Sequence, residues 1–185
     1  MGMTTVMHLH SASEGKTSPF TYRGMYRYLI TLSTLHSKRL FTALPNAVKV
    51  LDVLRECAWD HRFDVVGYSF LPESLRLLIQ GKTEESDMRA LLSAFRSKSS
   101  AALEAEVGHA LWKPRYLERV LRKKDDTTLV LRDLFQTPVR LGLVQSVEQY
   151  QLHGSFLGDI ASLTARPERV RQTRVRPARR PRRPR

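Results

Sequence analysis

The sequence predicts an α+β domain of the ferredoxin-like class: an antiparallel sheet in βαββαβ order, helices on one face, and an extra C-terminal helix. Three observations predict it. Phe63 to Phe70 and Leu75 to Ile79 are rich in β-branched and aromatic residues, and Leu71-Pro72-Glu73 between them supplies a turn, so the pair reads as a hairpin. Helical segments read on either side of it, over 45–60 and 84–106. Strand-like runs at 25–34 and 115–122 complete an alternation that closes as one sheet.

Taken in order, the first strand carries Tyr28-Leu29-Ile30-Thr31-Leu32, and the helix at 45–60 holds the chain's single cysteine, Cys57. One cysteine excludes an internal disulfide framework and reads as a small buried hydrophobe. In the second hairpin strand, alternation places Leu75, Leu77 and Ile79 on the core face and Ser74, Arg76 and Leu78 on the other. The helix at 84–106 has Thr83 before Glu84-Glu85, apolar positions Met88, Leu91, Leu92, Phe95 and Leu103, and Gly108 to close it. A last helix at 126–136 takes Asp125 or Asp126 as its cap, and Pro138 is expected to end it.

Length and charge divide the chain. Its 185 residues fit one domain with extensions, and a 42% hydrophobic content supports an ordinary core. Of the 31 basic and 18 acidic side chains, ten arginines and Glu168 lie in 166–185, which therefore carries +9 of the net +13. Prolines interrupt that segment and its apolar residues are only valine and alanine, so 161–185 reads as a disordered Arg/Pro-rich basic arm. Such an arm binds polyanions by counterion release, without sequence preference. Residues 1–20 read as a flexible leader, leaving 21–160 as the domain. No run of eighteen apolar residues and no apolar signal core occurs, which excludes a transmembrane helix and points to the cytoplasm.

Five motifs, in order, resemble the HUH single-strand tyrosine transposases, in particular the REP-associated and related insertion-sequence enzymes. Tyr28 to Leu32 followed by Leu40-Phe41 resembles that family's first strand and its exit, and Ala47 to Asp60 its first helix. Leu71-Pro72, Leu75 and Leu77-Leu78 resemble its Met-Pro-x-His-hydrophobic-His-Leu-Leu hairpin, Leu111 to Arg122 its Trp-x-x-Arg-aromatic strand, and Thr137 to Val144 its Asn-Pro-Val-Arg-Ala-Gly-Leu-Val signature. The resemblance runs from about Tyr22 to Gly158. It implies a DNA transposase or single-strand endonuclease using magnesium or manganese.

The positions that would carry that chemistry are changed. Ser74 and Arg76 stand where the resemblance implies two metal-binding histidines, and Asp133, five residues before Pro138, stands where it implies the nucleophilic tyrosine. A guanidinium has no lone pair for a metal. A carboxylate repels the scissile phosphate, and its acyl phosphate is prone to hydrolysis. No metal, no cofactor and no intact catalytic residue are therefore expected. Arg76 reads either as a bidentate phosphate contact or as a solvated edge residue. His8-Leu9-His10 has ligand-like spacing but no expected strand to fix it.

The expected partner is nucleic acid, most of all single-stranded or hairpin DNA, and no membrane. The basic residues expected to border it are Arg76, Arg96, Lys98, Lys113, Arg115, Arg122, Lys123, Lys124 and Arg140, with Trp112 as either a stacking platform or a core anchor. Two alternatives stay open: an active enzyme with an atypical site using Tyr116 or carboxylates such as Glu73, and a protein-interaction module on the same fold. Oligomeric state is open, with a monomer implied by the likeness to the REP-associated type.

Overall fold

The computed structural model describes residues 8–10 and 20–165. Six strands form one antiparallel sheet: β1 (His8–His10), β2 (Arg27–Ser33), β3 (Phe63–Leu71), β4 (Ser74–Gly81), β5 (Tyr116–Leu121) and β6 (His153–Gly154), in the order β1-β5-β2-β4-β3-β6. The central β5-β2-β4-β3 order with helices α1 (Leu44–Asp60) and α2 (Met88–Ala102) between strands is the ferredoxin-like arrangement expected from the sequence. Three further helices follow: α3 (Glu104–Val107), α4 (Thr127–Arg140) and α5 (Ile160–Thr164).

The sheet is covered on both sides, by different helices. Tyr28, Ile30, Leu32, Leu75, Leu77 and Ile79 face α1 and α2, whose Val50, Leu54, Cys57, Leu91, Leu92 and Phe95 close the main core. On the reverse face Leu29, Val66, Leu78 and Leu121 are buried under Leu131, Leu134 and Phe135 of α4, with Ile160 and Leu163 of α5 packed alongside. Gly67 permits that approach: a Cβ there would meet Leu131 Cδ2 at 2.5 Å and Phe135 Cζ at 3.3 Å. The β-bulge between Val65 and Gly67 lies at the same spot.

Several boundaries differ from the sequence expectation, each for a local reason. The second helix starts at Met88, because Asp87 accepts the Arg89 and Ala90 amides as its N-cap, both at 3.0 Å. Thr83 and Glu84-Glu85 belong to the preceding turn, which Ser86 Oγ fixes by donating to Arg62 O at 2.7 Å. That helix breaks at Leu103 and resumes as α3, which the left-handed Gly108 closes. Pro138 lies inside α4 instead of ending it. Only its own missing amide is lost; Leu141 still bonds Thr137 O, and Gly142, at φ 68°, terminates the helix.

Three short elements escaped the sequence reading. His8–His10 is a strand after all, held by the edge of β5 in the register Leu9 opposite Leu117. The remainder of the expected leader up to Ser18 and Pro19 lies outside the described residues, whereas Phe20 packs edge-on against Tyr22 and Tyr26. β6 is placed by Tyr150, whose hydroxyl donates to Phe70 O at 2.5 Å. α5 straddles the expected domain boundary at 160; the rest of the basic arm, 166–185, lies outside the described residues. Among the described residues no helix is long and apolar enough to cross a membrane.

Candidate nucleic-acid interface

Antiparallel register lines up Leu117, Thr31, Arg76, Ser69 and His153 across β5, β2, β4, β3 and β6. Directly opposed residues share a face, so this row points toward the α4 side of the sheet. Arg76 is at its centre on a strand with neighbours on both edges, and only 15% of its side chain is exposed. It is therefore not the solvated edge residue that the sequence allowed.

Its partners come from α4. Arg76 Nη1 donates to Thr137 Oγ1, and Nη2 stands 3.5 Å from Asp133 Oδ2. Arg140 grips the same carboxylate from outside: Nη1 reaches Asp133 Oδ1 at 2.7 Å, and Nη2 reaches Asp133 O and Thr137 Oγ1, both at 3.1 Å. Thr137 Oγ1 in turn donates to Asp133 O at 2.9 Å. Asp133, Thr137 and Arg140 occur at spacings of four, three and seven, so one stripe of α4 presents all of them. Burial, partly offset by the Asp133 carboxylate and reinforced by Arg140, lowers the Arg76 pKa from its ordinary value. A guanidinium stays charged nonetheless. Two guanidiniums about one carboxylate leave the cluster with one excess positive charge.

Ser74 lies two residues from Arg76 on the same face and is buried at 8% exposure. Ser69 Oγ and His153 Nδ1, next in the row, are buried without a hydrogen-bond partner. Burial lowers the His153 pKa, and its ring rests against Phe135 and Tyr150. Among the described residues no three His, Cys, Asp or Glu side chains gather to hold a metal ion.

The remaining expected contacts separate into bound and unbound groups. Trp112 is a core anchor: it is 3% exposed, packed between Phe41 and Phe95, and its Nε1 donates to Ser99 Oγ at 2.8 Å. It cannot stack on a base. Arg96 turns inward to donate to Lys113 O at 2.8 Å, and Lys98 is paired with Glu56 and Asp60 of α1. Lys113, Arg115, Arg122, Lys123 and Lys124 have no carboxylate within ion-pair distance among the described residues. Tyr116 lies on the opposite face from Arg76 and contacts the main core, where burial raises its pKa. Glu73 is exposed in the β3–β4 turn.

Sequence reasoning missed two kinds of residue. Lys38 and Arg39 are exposed cations without carboxylate partners among the described residues, in a loop whose Ser-Lys-Arg run between strand and helix was the available signal. Trp59 is 82% exposed beside Arg55, Arg62 and Lys82 at an open depression of about 990 Å³. That depression lies at the Phe63 end of β3, six residues or roughly 20 Å from Ser69 at about 3.3 Å per residue.

No protein-family model matches the chain, and no curated protein matches it in sequence. Solved structures do match. A REP-associated tyrosine transposase bound to a REP hairpin superposes with a TM-score of 0.62 over 80% of this chain and 93% of that one, at 16% identity. This chain has the transposase fold. A crystal structure of a putative transposase from Deinococcus radiodurans is also similar, at 17% identity and a TM-score of 0.46 over 73% of this chain and 96% of that one.

Proposed function

We infer that this chain is a transposase-like DNA-binding protein that holds hairpin or single-stranded DNA without cleaving it. The observation that carries this reading is the Arg76–Asp133–Arg140 cluster. By the motif correspondence, Ser74 and Arg76 occupy the metal-ligand positions and Asp133 the nucleophile position, and two of the three are joined to each other across the sheet–helix contact. A serine hydroxyl and a guanidinium do not make a divalent-metal site, and the nearest carboxylate is already neutralised by two arginines. Their role is to hold α4 against the sheet and to present one excess positive charge.

DNA as the partner is supported by the fold shared with a hairpin-bound transposase and by exposed cations that lack carboxylate partners among the described residues. The test uses a labelled DNA hairpin with a single-stranded foot. Binding is expected to persist when magnesium is removed by chelation, and no covalent protein–DNA adduct is expected with magnesium or manganese present. An adduct at any residue sinks the reading. Equal affinity for hairpin, unstructured DNA and RNA, all lost on deleting 166–185, would leave only the basic arm as a binder.

A further inference from the structure

The geometry points to a specific phosphate-gripping surface at one end of the sheet, built from two interlocked loops, 34–39 and 109–115, and carrying Lys38, Arg39, Lys113 and Arg115. This rests on the DNA-binding reading and says where the backbone is held. The two loops form one rigid unit. Thr34 pairs with Trp112 in an isolated bridge, Leu35 N donates to Leu111 O at 2.8 Å, and Lys113 N donates to Ser33 O at 2.8 Å. Buried Thr34 Oγ1 lies 2.8 Å from Lys38 O and 3.1 Å from Glu73 O, and Thr42 Oγ1 donates to Arg39 O at 2.9 Å. At the tips, the His36 and His109 rings meet edge to face at 5.6 Å, and Lys113 Nζ donates to Ser37 Oγ at 3.0 Å. Arg96 supports the second loop from below through Lys113 O.

Charge and framework together distinguish this surface. Many exposed cations elsewhere are answered: Arg55 by Asp52, Arg62 by Glu85, Lys82 by Asp64, Lys98 by Glu56 and Asp60. Arg122, Lys123 and Lys124 also lack an ion pair among the described residues, but they stand past the far end of β5 in a turn that holds Asp125 and Asp126. The depression beside Trp59 is lined by three of these paired cations, and so offers a phosphate little. Lys38, Arg39 and Arg115 are exposed and have no such partner among the described residues; Glu73 is the one carboxylate on the adjoining turn. Fixed backbone under unpaired cations reduces the ordering cost of gripping a phosphodiester backbone.

Hairpin affinity of the full chain, measured across a salt series, tests this. Replacing Lys38, Arg39 and Arg115 by glutamine is expected to flatten the slope of log affinity against log salt by about 2 to 3, at about 0.9 per phosphate contact. A control with Arg62, Lys82 and Lys98 changed to glutamine removes the same charge and is expected to alter the slope by less than about 1. Equal changes in the two triples overturn the inference while leaving DNA binding intact. A native chain that binds no hairpin overturns both. The six side chains are exposed, so folding should survive; if the first triple fails to fold, the single Arg115→Glu reversal must weaken binding more than Arg62→Glu, and equal effects again overturn the inference.

Discussion

Arg76 carries a full charge on a central strand with 15% of its side chain exposed, a placement that water alone would oppose. Thr137 and Asp133 make it tolerable, and Asp133 is the partner that supplies opposite charge. Asp133→Asn leaves the guanidinium facing Arg140 without compensation, so a loss of about 1 to 3 kcal/mol is expected in urea unfolding. The exposed Arg62–Glu85 pair gives a scale: Glu85→Gln should leave the urea midpoint nearly unchanged, because solvent screens that pair. His153 adds a pH dependence. Burial holds its pKa below the ordinary 6.5, with Glu148 acting weakly the other way. As acid is added, the unfolded chain protonates this residue first; the contribution is full above 6.5 and is lost below it. The melting temperature should thus fall between neutral pH and pH about 5, and His153→Gln should lessen the fall.

At the scale of elements, the fit of α4 on the sheet is set by Gly67. Gly67→Ala places a methyl against Leu131 and Phe135, both buried, and should cost about 1 to 3 kcal/mol in denaturant unfolding. Because α4 also brings Asp133 and Thr137 to Arg76, the same substitution should weaken the coupling between Arg76 and Asp133 in a double-mutant cycle. The hairpin and α1 were legible because long β-branched and apolar runs fix their type, and their ends came within a residue or two. The start of α2 was not, since Thr83 followed by two acidic residues imitates a helix N-terminus while Asp87 does the capping. β1 and β6, at three and two residues, have no periodicity to read and exist only because neighbouring edges supply the ladder. Leu78 showed in sequence only as a residue on the second face; that it is fully buried depends on Leu131, Leu134 and Phe135 of α4, far downstream in the chain.

For the whole molecule, the candidate site was legible in its members and not in its pairings. Alternation put Ser74 and Arg76 on one face, and the motif count put Asp133 at the nucleophile position, but the ion pairs that silence Lys98 and join Asp133 to Arg76 link residues whose proximity only the fold creates. The same holds for the C-terminal limit of the domain. Sequence composition places it at 160, yet Ile160 begins α5, Asp159 caps it through Ser162 N at 3.2 Å, and Arg132 Nε of α4 donates to Thr164 O at 2.8 Å. Ile160 and Leu163 complete the apolar layer beneath α4. A chain ending after Ala165 should therefore unfold at the same denaturant concentration as the full chain, losing only the salt-sensitive polyanion affinity of 166–185. One ending after Gly158 uncovers part of that layer and strands the Arg132 guanidinium, for an expected loss of about 1 to 3 kcal/mol. Urea titrations of the two truncations decide it: equal midpoints would return the boundary to 160, and a drop confined to the shorter chain makes α5 part of the folded body that holds Asp133 over Arg76.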